Sequence, residues 1–87
     1  MKIKSGFVVR KVGGEHVVVP VGERSKEFHG MINMNETGAF LWTFFSSEHT
    51  VDEGIDALCK EYDITKELAT TDVNRFVEIL QRNGFTE

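Results

Sequence analysis

Residues 33–45 read NMNETGAFLWTFF, a polar half joined to an aromatic half through Gly38 and Ala39. Asn35 makes a good helix N-cap, because its side chain can accept from the free N–H groups of a first turn. Behind it, Phe40, Leu41, Trp42, Phe44 and Phe45 leave a short helix apolar around much of its circumference. Such a helix is central and covered on several sides. The polar SSEH at 46–49 ends it.

Downstream the pattern stays helical. Thr50 and Glu53 form a capping box around TVDE. Val51, Ile55, Leu58, Cys59 and Tyr62 then supply the single stripe of an amphipathic helix, which YDIT breaks. A last helix is predicted from about Lys66 to Asn83, with Ala69, Val73, Phe76, Val77 and Leu80 facing inward. Gly84 suits the left-handed stop position, and Phe85 folds back on the final turn.

Upstream, GFVVRKV (6–12) and EHVVVPV (15–21) are Val-rich runs separated by Gly13-Gly14, a pair suited to a two-residue hairpin turn. The runs are nearly continuous rather than alternating, so they do not say which face is buried. Pro20 lacks an N–H and suits an edge or a strand end, which argues against a long central strand there. GERSKEFH (22–29) reads as a loop, and GMINM (30–34) as a short third strand pairing back on the hairpin. The sum is one α+β domain spanning 1–87. It is winged-helix-like, a three-stranded antiparallel sheet followed by three helices.

Composition narrows the function. A chain of 87 residues buries roughly 60–65% of its unfolded surface, enough to fold alone with little core to spare. No apolar run approaches the roughly 18 residues of a membrane span, and the basic N-terminus lacks the apolar core of a signal peptide. A cytoplasmic location and no membrane partner are expected. Residues 1–26 carry six Lys/Arg against Glu15 and Glu23, a net +4, whereas residues 27–87 carry a net −8. An acidic helical half is a poor match to a phosphate backbone.

No catalytic constellation emerges. His16, His29 and His49 fall in three segments, none placed four residues from another ligand on a helix, so no metal site is expected. Cys59 reads as a small core residue rather than a nucleophile. Asp52, Glu53, Asp56, Glu61 and Asp63 read as a solvated acidic face. There is no phosphate-binding G-x-x-x-x-G-K-[ST] or G-x-G-x-x-G. Neither an enzyme nor a cofactor is expected. The alternative is a winged-helix nucleic-acid-binding regulator, with the last helix as reader. That helix sets Lys66, Arg75 and Arg82 against Glu67, Asp72 and Glu78, neutral where groove readers are basic. A binding module remains, because a small sheet has exposed edges and GMINM carries neither Pro nor charge to discourage an added strand.

Three segments, MINMNETGAFLWTFF, TVDEGIDALCKEYDI and ATTDVNRFVEILQRNGF, carry a resemblance to the PqqD-like family of pyrroloquinoline quinone synthesis protein D. The matching positions are Asn35, Thr37, Gly38, Ala39, Leu41, Trp42, Thr50, Tyr62, Asp63, Ala69, Asp72 and Val73. Met34 departs from the usual Leu, a volume-conserving swap. The resemblance implies a RiPP recognition element, a non-catalytic domain that binds the leader of a ribosomally made precursor peptide as an added strand. It then presents the peptide to a modifying enzyme, a radical-SAM protein in quinone cofactor synthesis. Carried over by position, Gly30, Met31, Ile32 and Asn33 form the sheet edge, and Asp72, Arg75, Phe76 and Ile79 form the helix wall. For Phe76 and Ile79 the competing assignment is plain core. Arg75 either pairs with an acidic leader side chain or has no role.

Overall fold

A computed structural model describes residues 1–28 and 32–87. Strands β1 (Phe7–Val12) and β2 (Glu15–Pro20) form the hairpin. A helical turn α1 (Arg24–Glu27) precedes β3 (Ile32–Met34), and three longer helices follow: α2 (Glu36–Phe44), α3 (Val51–Tyr62) and α4 (Lys66–Arg82). The expected α+β order therefore holds, with one addition. The polar 22–29 segment contains a helical turn, closed by Ser25 Oγ donating to the Gly22 carbonyl at 2.6 Å and by Phe28 N–H donating to the Arg24 carbonyl at 2.9 Å.

The sheet is antiparallel in the order β1-β2-β3, so β2 is central and Pro20 is its last residue. Gly13 takes φ 65° at the first position of the turn, as a primed hairpin turn demands. That two-residue turn makes Val12 and Glu15 the hydrogen-bonded closing pair and fixes the register from Val12↔Glu15 to Phe7↔Pro20. Side chains then alternate. Val18 is fully buried in the core, while Val17, 5% exposed, lies on the opposite face of the sheet and outside the core cluster. Both faces bury valine, which is why the sequence shows no clean alternation.

The helices cap as their sequences dictate. The Asn35 side chain accepts from Gly38 N–H at 2.8 Å, and the Thr50–Glu53 capping box closes at 3.1 and 2.7 Å. Asp63 ends α3 in the left-handed conformation at φ 50°, its N–H donating to Cys59. Gly84 does the same after α4 at φ 74°, and Phe85 N–H returns to the Leu80 carbonyl at 3.0 Å. Leu41, Trp42 and Phe45 from α2 and its C-cap are at most 2% exposed. Around them pack Val18, Ile55, Leu58, Val73 and Leu80, with Ile3 from the N-terminal segment. Helix α2 is thus the central element, and no helix among the described residues is long and apolar enough to cross a membrane.

Candidate functional site: a groove along an open strand edge

The sheet ends at β1 on one side and at β3 on the other, and the two edges differ. Because Val12 and Glu15 close the turn, alternate residues of β2 address opposite neighbours: Glu15, Val17 and Val19 face β1, and His16, Val18 and Pro20 face away from it. Val21 N–H, donating to the Gly6 carbonyl at 2.8 Å, continues this alternation. The β2–β3 pairs are His16↔Met34, Val17↔Asn33 and Val18↔Ile32. Ile32 and Met34 therefore direct their main-chain groups at β2. Asn33 directs its N–H and C=O outward, to the open edge.

On β1 the corresponding free groups belong to Phe7, Val9 and Lys11. There Lys11 and the adjoining Arg10 guard the strand, since edge charges discourage further pairing. The residues Ile32, Asn33 and Met34 carry no charge. Of the two edges, β3 is the unguarded one.

Between β3 and α4 runs a groove with two compartments that share Ile79. The larger, ≈ 270 Å³, has an aromatic floor of Phe7, Phe28 and Phe85. Phe28 stacks on Phe85 at 4.8 Å, and Phe7 meets both edge-on at 5.3 and 5.4 Å. Ile32 and Met34 line its strand side; Ile79, Leu80 and Asn83 line its helix side. The smaller compartment, ≈ 130 Å³, lies where α2 begins, between Asn35, Thr37 and Gly38 on one side and Asp72, Arg75 and Ile79 on the other. A Cβ at Gly38 would stand 2.9 Å from Asn35 Oδ1 and 3.5 Å from Met34, so glycine keeps both the cap and this wall intact.

Five of the sequence-expected site residues line this groove, Ile32, Asp72, Arg75, Phe76 and Ile79, while Asn33 stands on the strand edge beside it and borders the polar concavity near the hairpin tip. Gly30 and Met31 lie outside the described residues, as does His29. The two open assignments separate. Phe76 is 7% exposed and packs on Trp42 and Phe45, so it belongs to the core and shows the groove only its border. Ile79, 45% exposed, is groove wall. The floor of Phe7, Phe28 and Phe85 escapes the sequence reading, although an isolated Phe in the polar 22–29 segment is a usable signal.

Glu53 is held below the ordinary carboxylate range, chiefly by the Thr50 N–H of its capping box, and burial followed by Glu36 and Glu61 raises Tyr62. Neither residue borders the groove. Among the described residues no group of three His, Cys, Asp or Glu side chains is placed to hold a metal ion. A wider, polar concavity of ≈ 610 Å³ at the hairpin tip sets Lys11 against Glu15 and Glu36 and is open to solvent. The alternative reader helix is neutralised in part, with Arg82 held by Glu78 at 2.6 Å.

These features define a small α+β module with an apolar groove along the open outer edge of β3. The chain belongs to the PqqD family: the family described as "Coenzyme PQQ synthesis protein D (PqqD)" matches residues 15–85. Among solved structures it is similar to one described as "TbiB1 in Complex with the TbiA(beta) Leader Peptide". The TM-score is 0.72, covering 100% of this chain and 95% of that one at 21% identity, a likeness of fold. No curated protein matches the sequence.

Proposed function

We propose that this chain is a RiPP recognition element. It binds the leader of a ribosomally made precursor peptide as a fourth strand along β3 and presents it to a separate modifying enzyme, catalysing nothing itself. The observation that carries this reading is the outward-facing main chain of Asn33 beside an apolar groove. Strand addition uses this pair of features: main-chain hydrogen bonds give generic affinity and pockets for alternate side chains give selectivity. Family membership supports it, and so does the structural neighbour, which is described with a leader peptide bound. A radical-SAM enzyme is the partner proposed from the family, in quinone cofactor synthesis or a related pathway.

A large apolar side chain buried in the aromatic-floored compartment contributes roughly 1.5–3 kcal/mol, and main-chain pairing and polar contacts add to it. Ordering a flexible leader offsets part of this, so the affinity is of roughly micromolar order. The test is a titration of isotope-labelled protein with the leader of a precursor encoded beside it. Amide shifts concentrated in β3 and α4 are expected; shifts confined to other elements would refute strand addition at β3. Presentation is tested separately. Modification of the precursor by its enzyme should stop when this chain is omitted, and undiminished modification would contradict that role.

A further inference from the structure

We propose that the groove reads a side-chain pattern, an acidic residue placed two positions before a large apolar one, in a leader running antiparallel to β3. This rests on the strand-addition reading and specifies the ligand of that site.

The pattern follows from how strand and helix run. Along β3 the aromatic-floored compartment comes first, at Ile32 and Met34, and the smaller one follows at Asn35 and Gly38. Along α4 the order reverses: Asp72 and Arg75 line the smaller compartment, Ile79 both, and Asn83 the larger. Helix α4 therefore runs opposite to β3, and an antiparallel leader runs with it. Arg75, Ile79 and Asn83, all exposed, stand four residues apart, about 6 Å per step along the helix. Alternate side chains of a strand are about 6.8 Å apart. The two repeats match closely enough for each helix position to meet one alternate leader residue.

The leader residue opposite Asn33 takes both main-chain hydrogen bonds, and its side chain shares the outer face with Asn33. Its two neighbours in the leader fall on the α4 side, flanking Met34 and Ile32. The C-terminal neighbour, opposite Ile32, enters the aromatic-floored compartment. The N-terminal neighbour, opposite Met34, stands where the larger compartment gives way to the smaller, because Met34 lines the first and lies 3.5 Å from where a Gly38 Cβ would stand in the second; a long acidic side chain there extends toward Arg75. Arg75 forms no ion pair among the described residues, and Asp72, three residues before it, lies beyond salt-bridge distance. An exposed guanidinium with five donors and no carboxylate partner can donate to a leader carboxylate. The half-buried Asp72 is the competing charge in that compartment.

The probe is a displayed library of random ten-residue peptides selected against the full chain. Enrichment of Asp or Glu two positions before a large apolar residue is expected. In a selected peptide, Glu→Gln should weaken binding about two- to fivefold, the upper part of the range of an exposed ion pair. Glu→Lys should weaken it further, and Arg75→Glu should invert that preference. Peptides that slow Asn33 amide exchange but show no acidic preference, prefer Lys through Asp72, or carry the two residues in reverse order overturn this pattern and leave strand addition standing. Binders that leave Asn33 exchange unchanged, or a selection yielding none, overturn strand addition itself.

Discussion

At Gly54 a hydrogen atom separates α3 from the core: a Cβ there would stand 2.5 Å from Cζ of Phe45, whose ring is fully buried. Gly54→Ala gains about 1 kcal/mol of helix propensity. Overpacking of about 1–3 kcal/mol outweighs it. The urea midpoint should therefore fall, whereas a raised midpoint would show that the Phe45 ring can step aside. Thr50→Ala removes the N-cap of the same helix and should lose about 1 kcal/mol in thermal unfolding. Its partner Glu53 gives a pH signature. The folded-state pKa of Glu53 is depressed, so its contribution is present above the ordinary carboxylate value and lost as pH falls through the depressed one. The stability gap between the natural protein and Glu53→Gln should narrow on acidification below about pH 4.5, and a gap independent of pH would contradict this.

The element that decides the function is β3, and two proline substitutions separate its two sides. Asn33→Pro removes an N–H that faces the open edge, where proline is tolerated. The variant should remain folded, with circular dichroism unchanged, and lose leader binding. Ile32→Pro removes an N–H directed at Val18 in the central strand, so it should lower thermal stability in the absence of any ligand. Equal behaviour of the two variants would mean that the edge is assigned to the wrong residue. The sequence shows the presence of this strand but not its orientation. GMINM marks an uncharged edge, yet the residue that faces outward depends on register through β2, which the Gly13-Gly14 turn sets. The caps of α2, α3 and α4 are legible because each is a local hydrogen bond with a residue-type signature. The α1 turn is not, since four polar residues carry no periodicity.

At the scale of the molecule, the sheet half is basic and the helical half acidic, and the groove lies between them with an apolar floor. The family was legible because the densest part of its motif falls on α2, around which the strands and helices α3 and α4 pack. The groove floor was not, because Phe7, Phe28 and Phe85 come from β1, a loop and the C-terminal tail, and only tertiary folding gathers them. Its apolar character sets the salt response. Between about 50 and 200 mM salt, leader affinity should change by no more than about threefold, where a nucleic-acid binder making six or more phosphate contacts loses about 10³-fold or more. A steep salt dependence would show that charge, rather than the apolar floor, carries leader binding.

The central claim, that a leader pairs with the main chain of Asn33, is tested most directly by amide hydrogen exchange with and without saturating leader peptide. Exchange of the Asn33 amide should slow on binding while that of Val9, on the guarded β1 edge, stays as it was. Unchanged exchange at Asn33, or protection appearing at Val9 instead, would contradict strand addition at β3.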